Sequence, residues 1–164
     1  MSNLKRIQMI LVICLISVGI DQGTKWYAAE YLPKFEMTSY WGDLLRIGYI
    51  ENTGAFLGLG SGMSDSAKFL IFVCAVGLIL SALLIYILKT KTHTAFGLSS
   101  LILIFSGGIS NFYDRALNNG AVIDFLNIGI GSLRTGIFNV ADMAIMLGVF
   151  LLLFAKDIKA DSKE

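Results

Sequence analysis

The chain has 164 residues, 55% of them hydrophobic and only 15% charged, with a mean hydropathy of +0.72 and a single proline. Soluble domains carry about 25% charged residues, so this composition excludes an ordinary water-soluble surface and points to lipid. A net charge of +1 from scattered basic residues excludes a nucleic-acid footprint, and one histidine, His93, leaves no His-ligated metal set.

The first apolar run, Ile7 to Ile20, follows Lys5 and Arg6 and exits through Asp21-Gln22-Gly23-Thr24-Lys25-Trp26-Tyr27. No small-x-small cleavage site follows it, so it reads as an uncleaved anchor whose helix continues into an aromatic interface. Between Asp43 and Leu59, apolar and aromatic residues punctuated by Gly48, Gly54 and Gly58 suit short strands with tight turns at the membrane surface. Phe69 to Leu88 is long enough to span, and Ala95 to Ile109 carries Ser99, Ser100, Ser106, Gly107 and Gly108, small residues that let helices approach closely. The last run is Ile137 to Ala155. Cys14 and Cys74 lie inside apolar runs and read as small apolar residues.

The expected fold is an all-α integral membrane protein, one membrane domain over residues 1–164 with four transmembrane helices at about 7–28, 68–88, 95–113 and 137–155. A small extracytoplasmic β-rich loop region is expected over about 29–67. Lys5 and Arg6, Lys89 and Lys91, and Lys156, Lys159 and Lys163 all fall on one side of such a bundle. The positive-inside rule then puts both termini and the 89–94 loop in the cytoplasm.

Asp142 sits one turn into the last apolar run, and burying an ionisable group in a bilayer costs about 3 kcal/mol or more. An intramembrane carboxylate is therefore a candidate site, and Asp124, among Val122, Ile123, Phe125 and Leu126, is its candidate partner. Other chemistries drop out: no histidine lies on the outer side for a Ser/His or Cys/His pair, Lys25 at an interface is a poor base for a Ser/Lys dyad, and no phosphate-binding loop is present. Asn111, Asp114 and Arg115 share a helix face if the third span reaches Arg115, and Asn139 and Asp142 are likewise three apart. Two close carboxylates share one proton, one acting as base on a water and the other as acid toward a substrate. Alternatives are that Asp142 only bonds a neighbouring helix while Asp124 pairs with Arg115, that the chain is a small proton-coupled transporter, or that it is a noncatalytic subunit.

The ordered blocks Asp21-Gln22-x-x-Lys25, Asn52-Thr53-Gly54-Ala55-Phe56, Gly107-Gly108-x-x-Asn111-x-x-Asp114-Arg115, Val122-x-Asp124-Phe125 and Phe138-Asn139-x-Ala141-Asp142 resemble those of the bacterial lipoprotein signal peptidases, or signal peptidase II. The resemblance implies a cofactor-free, metal-free, multi-pass aspartic endopeptidase of the bacterial inner membrane, with its active site toward the extracytoplasmic face. Its implied partners are membrane lipids and a diacylglyceryl-modified prolipoprotein, and it implies a monomer. On that pattern Asp124 and Asp142 match the catalytic dyad. Asn52, Gly54, Asn111, Asp114, Arg115 and Asn139 match positions that hold substrate or orient the dyad, and Asp21 and Lys25 match a supporting motif. Ser110 stands where the family usually has Gly, which adds a side chain at an expected contact between the third and fourth spans.

Overall fold

The computed structural model describes residues 2–54, 60 and 62–155. The expected basic residues Lys156, Lys159 and Lys163, and Ala55 and Phe56 of the second block, lie outside the described residues.

Helix α1, Asn3–Tyr31, is longer at both ends than the apolar run that announced it. Ser2 caps it, accepting from Lys5 N at 3.4 Å, and it stops at Leu32 because the residue before Pro33 is driven into extended backbone. Two strands follow, β1 (Met37–Tyr40) and β2 (Leu45–Asn52), joined by a turn in which Trp41, Gly42 and Asp43 all have positive φ. Asp43 makes that turn tolerable: its carboxylate accepts from Ser39 Oγ at 2.8 Å and from both Nε and Nη2 of Arg46 at 2.6 and 2.7 Å.

Helix α2 (Asp65–Lys68) runs through a π-helical stretch, Phe69–Ala75, into α3 (Val76–Lys89). Helix α4, Ala95–Leu117, does reach past Arg115. After it come β3 (Val122–Ile130), the short β4 (Leu133–Arg134) and α5 (Val140–Leu152). The β-rich region is therefore not confined to residues 29–67. The strands form one antiparallel sheet in the order β1-β2-β3-β4, with Asn52 opposite Val122 and Ile50 opposite Asp124. The segment just ahead of the last helix is thus a strand, paired with a partner about 70 residues upstream.

Helix α4 is the centre of the bundle: 56% of its most apolar window is buried, against 6% in α1 and 11% in the Ser66–Lys89 rod. Small residues make this possible. A Cβ on Gly107 would collide with the Ala141 carbonyl, and one on Gly148 would lie 2.6 Å from the Ser100 carbonyl, so α4 and α5 touch backbone to backbone. On the other side of α4, Leu98, Leu101, Ile102 and Phe105 pack with Leu80 and Ile87 of α3. Arg6 ties the start of α1 to the end of α3, donating to the carbonyls of Ile87 and Leu88 at 3.1 and 2.9 Å. The outward faces remain apolar, with Leu15, Leu78, Ile79, Met146 and Phe150 exposed, as lipid contact requires.

Three helices, Asn3–Tyr31, Ser66–Lys89 and Ala95–Leu117, are long and apolar enough to cross a membrane. Helix α5 is apolar but has 13 residues, about 20 Å, and begins at 140 rather than 137. The sheet claims the difference, since Phe138 exchanges hydrogen bonds with Leu126 and Asn139 caps the helix. Beyond Leu152 the apolar chain tightens, with the N–H groups of Leu153, Phe154 and Ala155 bonding three residues back.

Candidate active site

Asp142 is the third residue of α5, where a capping box fixes it: Asn139 Oδ1 accepts from Asp142 N at 2.9 Å, and Asp142 Oδ2 accepts from Asn139 N at 3.1 Å. Its other oxygen, Oδ1, accepts from Asn111 Nδ2 of α4 at 2.9 Å. Asp124, on β3, is held just as fully, with Oδ1 accepting from Asn139 Nδ2 at 2.6 Å and Oδ2 from Asn52 Nδ2 of β2 at 2.9 Å. All four carboxylate oxygens therefore have a fixed donor, three of them side-chain amides and one the Asn139 backbone N–H, so Asn139 serves both acids. Amides suit this place because they orient a carboxylate without neutralising it.

Burial is the main reason that the Asp124 carboxyl is pushed up to about 6; the charge of Asp142 adds to the rise, while the bonds from Asn52 and Asn139 and the ammonium of Lys25 oppose it. The two acids are thus electrostatically coupled. The alternative in which Asp124 pairs with Arg115 does not hold, since its carboxylate contacts are amides.

Behind the pair lies a buried ionic cluster. Lys25 Nζ, 1% exposed, donates to Asp21 Oδ2 at 2.7 Å, Asp114 Oδ2 at 2.8 Å and Asn111 Oδ1 at 2.8 Å, which saturates its three donors. The expectation of an interfacial Lys25 is corrected here: the Asp21 and Lys25 spacing turns both toward α4, where two carboxylates hold the ammonium in a dry site. Asp21 also accepts from Ala141 N at 2.7 Å through Oδ1, so α1 caps a free N–H of the first turn of α5. Asp114 further accepts from Gln22 Nε2 at 2.8 Å and Ile123 N at 3.3 Å. Gln22, a position of the first sequence block, and Ser110, the departure from the third, both belong to this cluster.

Arg115 points elsewhere. Its Nη2 donates to the Gly54 carbonyl at 2.8 Å, and its guanidinium lies 5.3 Å from the Phe72 ring centroid, close enough to Asp124 and Asp142 to attract both. Gly54 in turn donates from its N–H to Asn52 Oδ1 at 2.9 Å, so Arg115 secures the turn that carries the Asp124 donor. Asp142, Asn111 and Arg115 line a cavity of about 480 Å³ together with Ile71, Phe72, Val76, Gly108, Ile145 and Met146. Such a mostly apolar wall with a few convergent polar groups is the chemistry of a ligand cleft. Among the described residues, no three His, Cys, Asp or Glu side chains are gathered as metal ligands.

A family model described as signal peptidase (SPase) II matches residues 13–156. A lipoprotein signal peptidase of Borrelia hermsii is 35% identical over 170 residues, covering 97% of this chain and 99% of the relative. One of Syntrophus aciditrophicus is 32% identical over 146 residues, covering 87% and 90%. A bacterial membrane enzyme solved by the in meso method at 2.3 Å superposes with a TM-score of 0.76 at 30% identity, over 90% of this chain and 87% of that one. The matched region takes in every carboxylate, amide and cation of the cluster, and the chain belongs to the signal peptidase II family of membrane proteases.

Proposed function

We propose that the chain is an aspartic endopeptidase that works within the membrane boundary and removes signal peptides from diacylglyceryl-modified prolipoproteins. The observation that carries this reading is the capture of all four oxygens of Asp124 and Asp142 by fixed donors, with Asp142 on the lining of an apolar cavity. In the reaction, the ionised carboxylate takes a proton from a water, and the hydroxide formed adds to the scissile carbonyl carbon. The protonated carboxyl gives its proton to the carbonyl oxygen. Collapse of the tetrahedral adduct breaks the C–N bond: one diol hydroxyl returns its proton to the second carboxylate as the carbonyl re-forms, and the amine leaves with the proton that the first carboxylate took up. Asn52, Asn111 and Asn139 keep both acids in register throughout, and Arg115 holds the Gly54 turn and faces charge that develops between them.

The proposal includes four membrane passages, with α5 and its tightened extension to Ala155 as the fourth, about 24 Å long, entering beneath the sheet. Lys5, Arg6, Lys89 and Lys91 gather at the end of the bundle opposite the sheet, which favours cytoplasmic termini and a dyad opening outward across the inner membrane. Partners are then the lipidated prolipoprotein and the surrounding lipid, with the chain acting as a monomer.

The test is cleavage by the purified chain, in detergent without a gradient, of a prolipoprotein peptide carrying diacylglycerol on its cysteine. Cleavage that needs a proton gradient, or none at all, removes the reading.

A further inference from the structure

Four serines of α4 direct their hydroxyls differently. Ser99 and Ser100 donate to carbonyls four residues back, of Ala95 and Phe96, and Ser106 to that of Leu103. Such back-bonding is what an isolated helical serine does. Ser110 instead donates across the α1–α4 contact to Asp21 Oδ2 at 2.7 Å, and accepts there from Gln22 Nε2 at 3.0 Å. It is 1% exposed, and Asp21 is fully buried. The expectation that this side chain would sit between the third and fourth spans is thereby corrected: it faces α1, and Gly107 keeps α4 and α5 close.

The consequence lies two bonds away. The oxygen of Asp21 that Ser110 does not hold accepts from Ala141 N, the residue before Asp142. Two carboxylates, Asp21 and Asp114, share one ammonium, so each takes further donors in a dry site: Ser110 Oγ and Ala141 N for Asp21, Gln22 Nε2 and Ile123 N for Asp114. We propose that Ser110 is a positioning residue for Asp142, acting through Asp21 on the first turn of α5. The proposal rests on the peptidase reading.

Only a group that donates and accepts at once fits between Gln22 and Asp21, which means a hydroxyl or a water. A glycine at 110 leaves room for such a water, while an alanine methyl fills part of that space and offers no donor. Three full-length proteins therefore decide the matter: wild type, Ser110→Gly and Ser110→Ala, assayed in detergent on the lipidated peptide, with amide hydrogen exchange of residues 139–142 measured alongside. In Ser110→Ala, kcat is expected to fall about tenfold with KM unchanged and the 139–142 amides to exchange about tenfold faster, while Ser110→Gly stays within about threefold of wild type on both. A packing role predicts the reverse order, because alanine is nearer serine in volume and glycine weakens a helix. Ser110→Gly at or below Ser110→Ala in kcat and protection overturns the proposal, as does Ser110→Ala matching wild type. A wild type that cleaves nothing removes the peptidase reading, and the exchange rates still decide the role of Ser110.

Discussion

Lys25 donates to Asn111 Oδ1 at 2.8 Å, and Asn111 donates from Nδ2 to Asp142 Oδ1 at 2.9 Å. An ammonium has donors only, so the lysine dictates which end of the amide faces the acid. Lys25 thus orients Asp142 from behind, through a side chain on another helix, while neutralising charge on Asp21 and Asp114.

Replacing Lys25 by Met should leave Asp21 and Asp114 buried without a counter-ion, at a cost of about 3–5 kcal/mol. Thermal unfolding in detergent measures this, and Lys25→Met combined with Asp114→Asn should recover part of the loss. Equal stability of the single and double variants would show that the charges are not coupled.

Asp124→Asn and Asp142→Asn should each lower kcat by about a thousandfold or more, since an amide keeps the shape but cannot exchange the proton. Near-wild-type turnover in either would remove it from the dyad.

Stability of the same Asp124→Asn protein carries a pH signature. The native carboxyl titrates at about 6 against an ordinary 3.8, so between those values the folded state holds a proton that the unfolded state has lost. The contribution of Asp124 to stability is accordingly present below pH 3.8, declines as pH rises through the window and levels off above about 6, a span on the order of 3 kcal/mol. The difference in unfolding free energy between wild type and Asp124→Asn should therefore shift in favour of the variant from pH 4 to pH 7. A constant difference would contradict the burial that raises this carboxyl.

Legibility of the site in the sequence followed the range of the interactions. Asp142 could be read because an acid in an apolar helix is costly wherever it sits, and the Asn139 spacing belongs to a local capping box. Asp124 was legible as a desolvated acid, yet its strand was not, because Val122 to Leu126 is equally an apolar helix end until β2 pairs with it. Lys25 reads as interfacial for a similar reason: its depth is set by Asp114 on α4, which no local pattern contains. Asp114 and Arg115 are neighbours in sequence but about 100° apart around α4, so one faces Lys25 and the other Gly54. The membrane class needed only composition, whereas the 13-residue length of α5 depended on the sheet claiming Phe138.

That divergence changes what Arg115 variants should do. Arg115→Ala loses a charged hydrogen bond to Gly54 and the stacking over Phe72, so kcat/KM should fall at least a hundredfold through disorder at Asn52, with a stability loss of about 1.5–3 kcal/mol. Arg115→Lys should restore stability better than activity, because a point charge can reach the carbonyl or the ring but lacks the planar fork. Full recovery of both by Lys would mean that charge alone matters.

The orientation of the bundle can be tested on residues that the structure leaves accessible. In a background with Cys14 and Cys74 replaced, single cysteines at Asn118 and Leu133 sit on exposed positions beside the sheet, and one at Lys91 on the exposed loop at the opposite end. Lys89 and Lys91 lie with Lys5 and Arg6, and Arg6 grips the end of α3, so all four basic residues share one end of the bundle. By the positive-inside rule that end is cytoplasmic. A membrane-impermeant thiol reagent added to intact cells should therefore label the cysteines at 118 and 133 and spare the one at 91 until the cells are opened. Labelling at 91 with protection at 118 and 133 would turn the dyad toward the cytoplasm, away from the face where exported prolipoproteins present their cleavage sites, and the proposed reaction would lose its substrate.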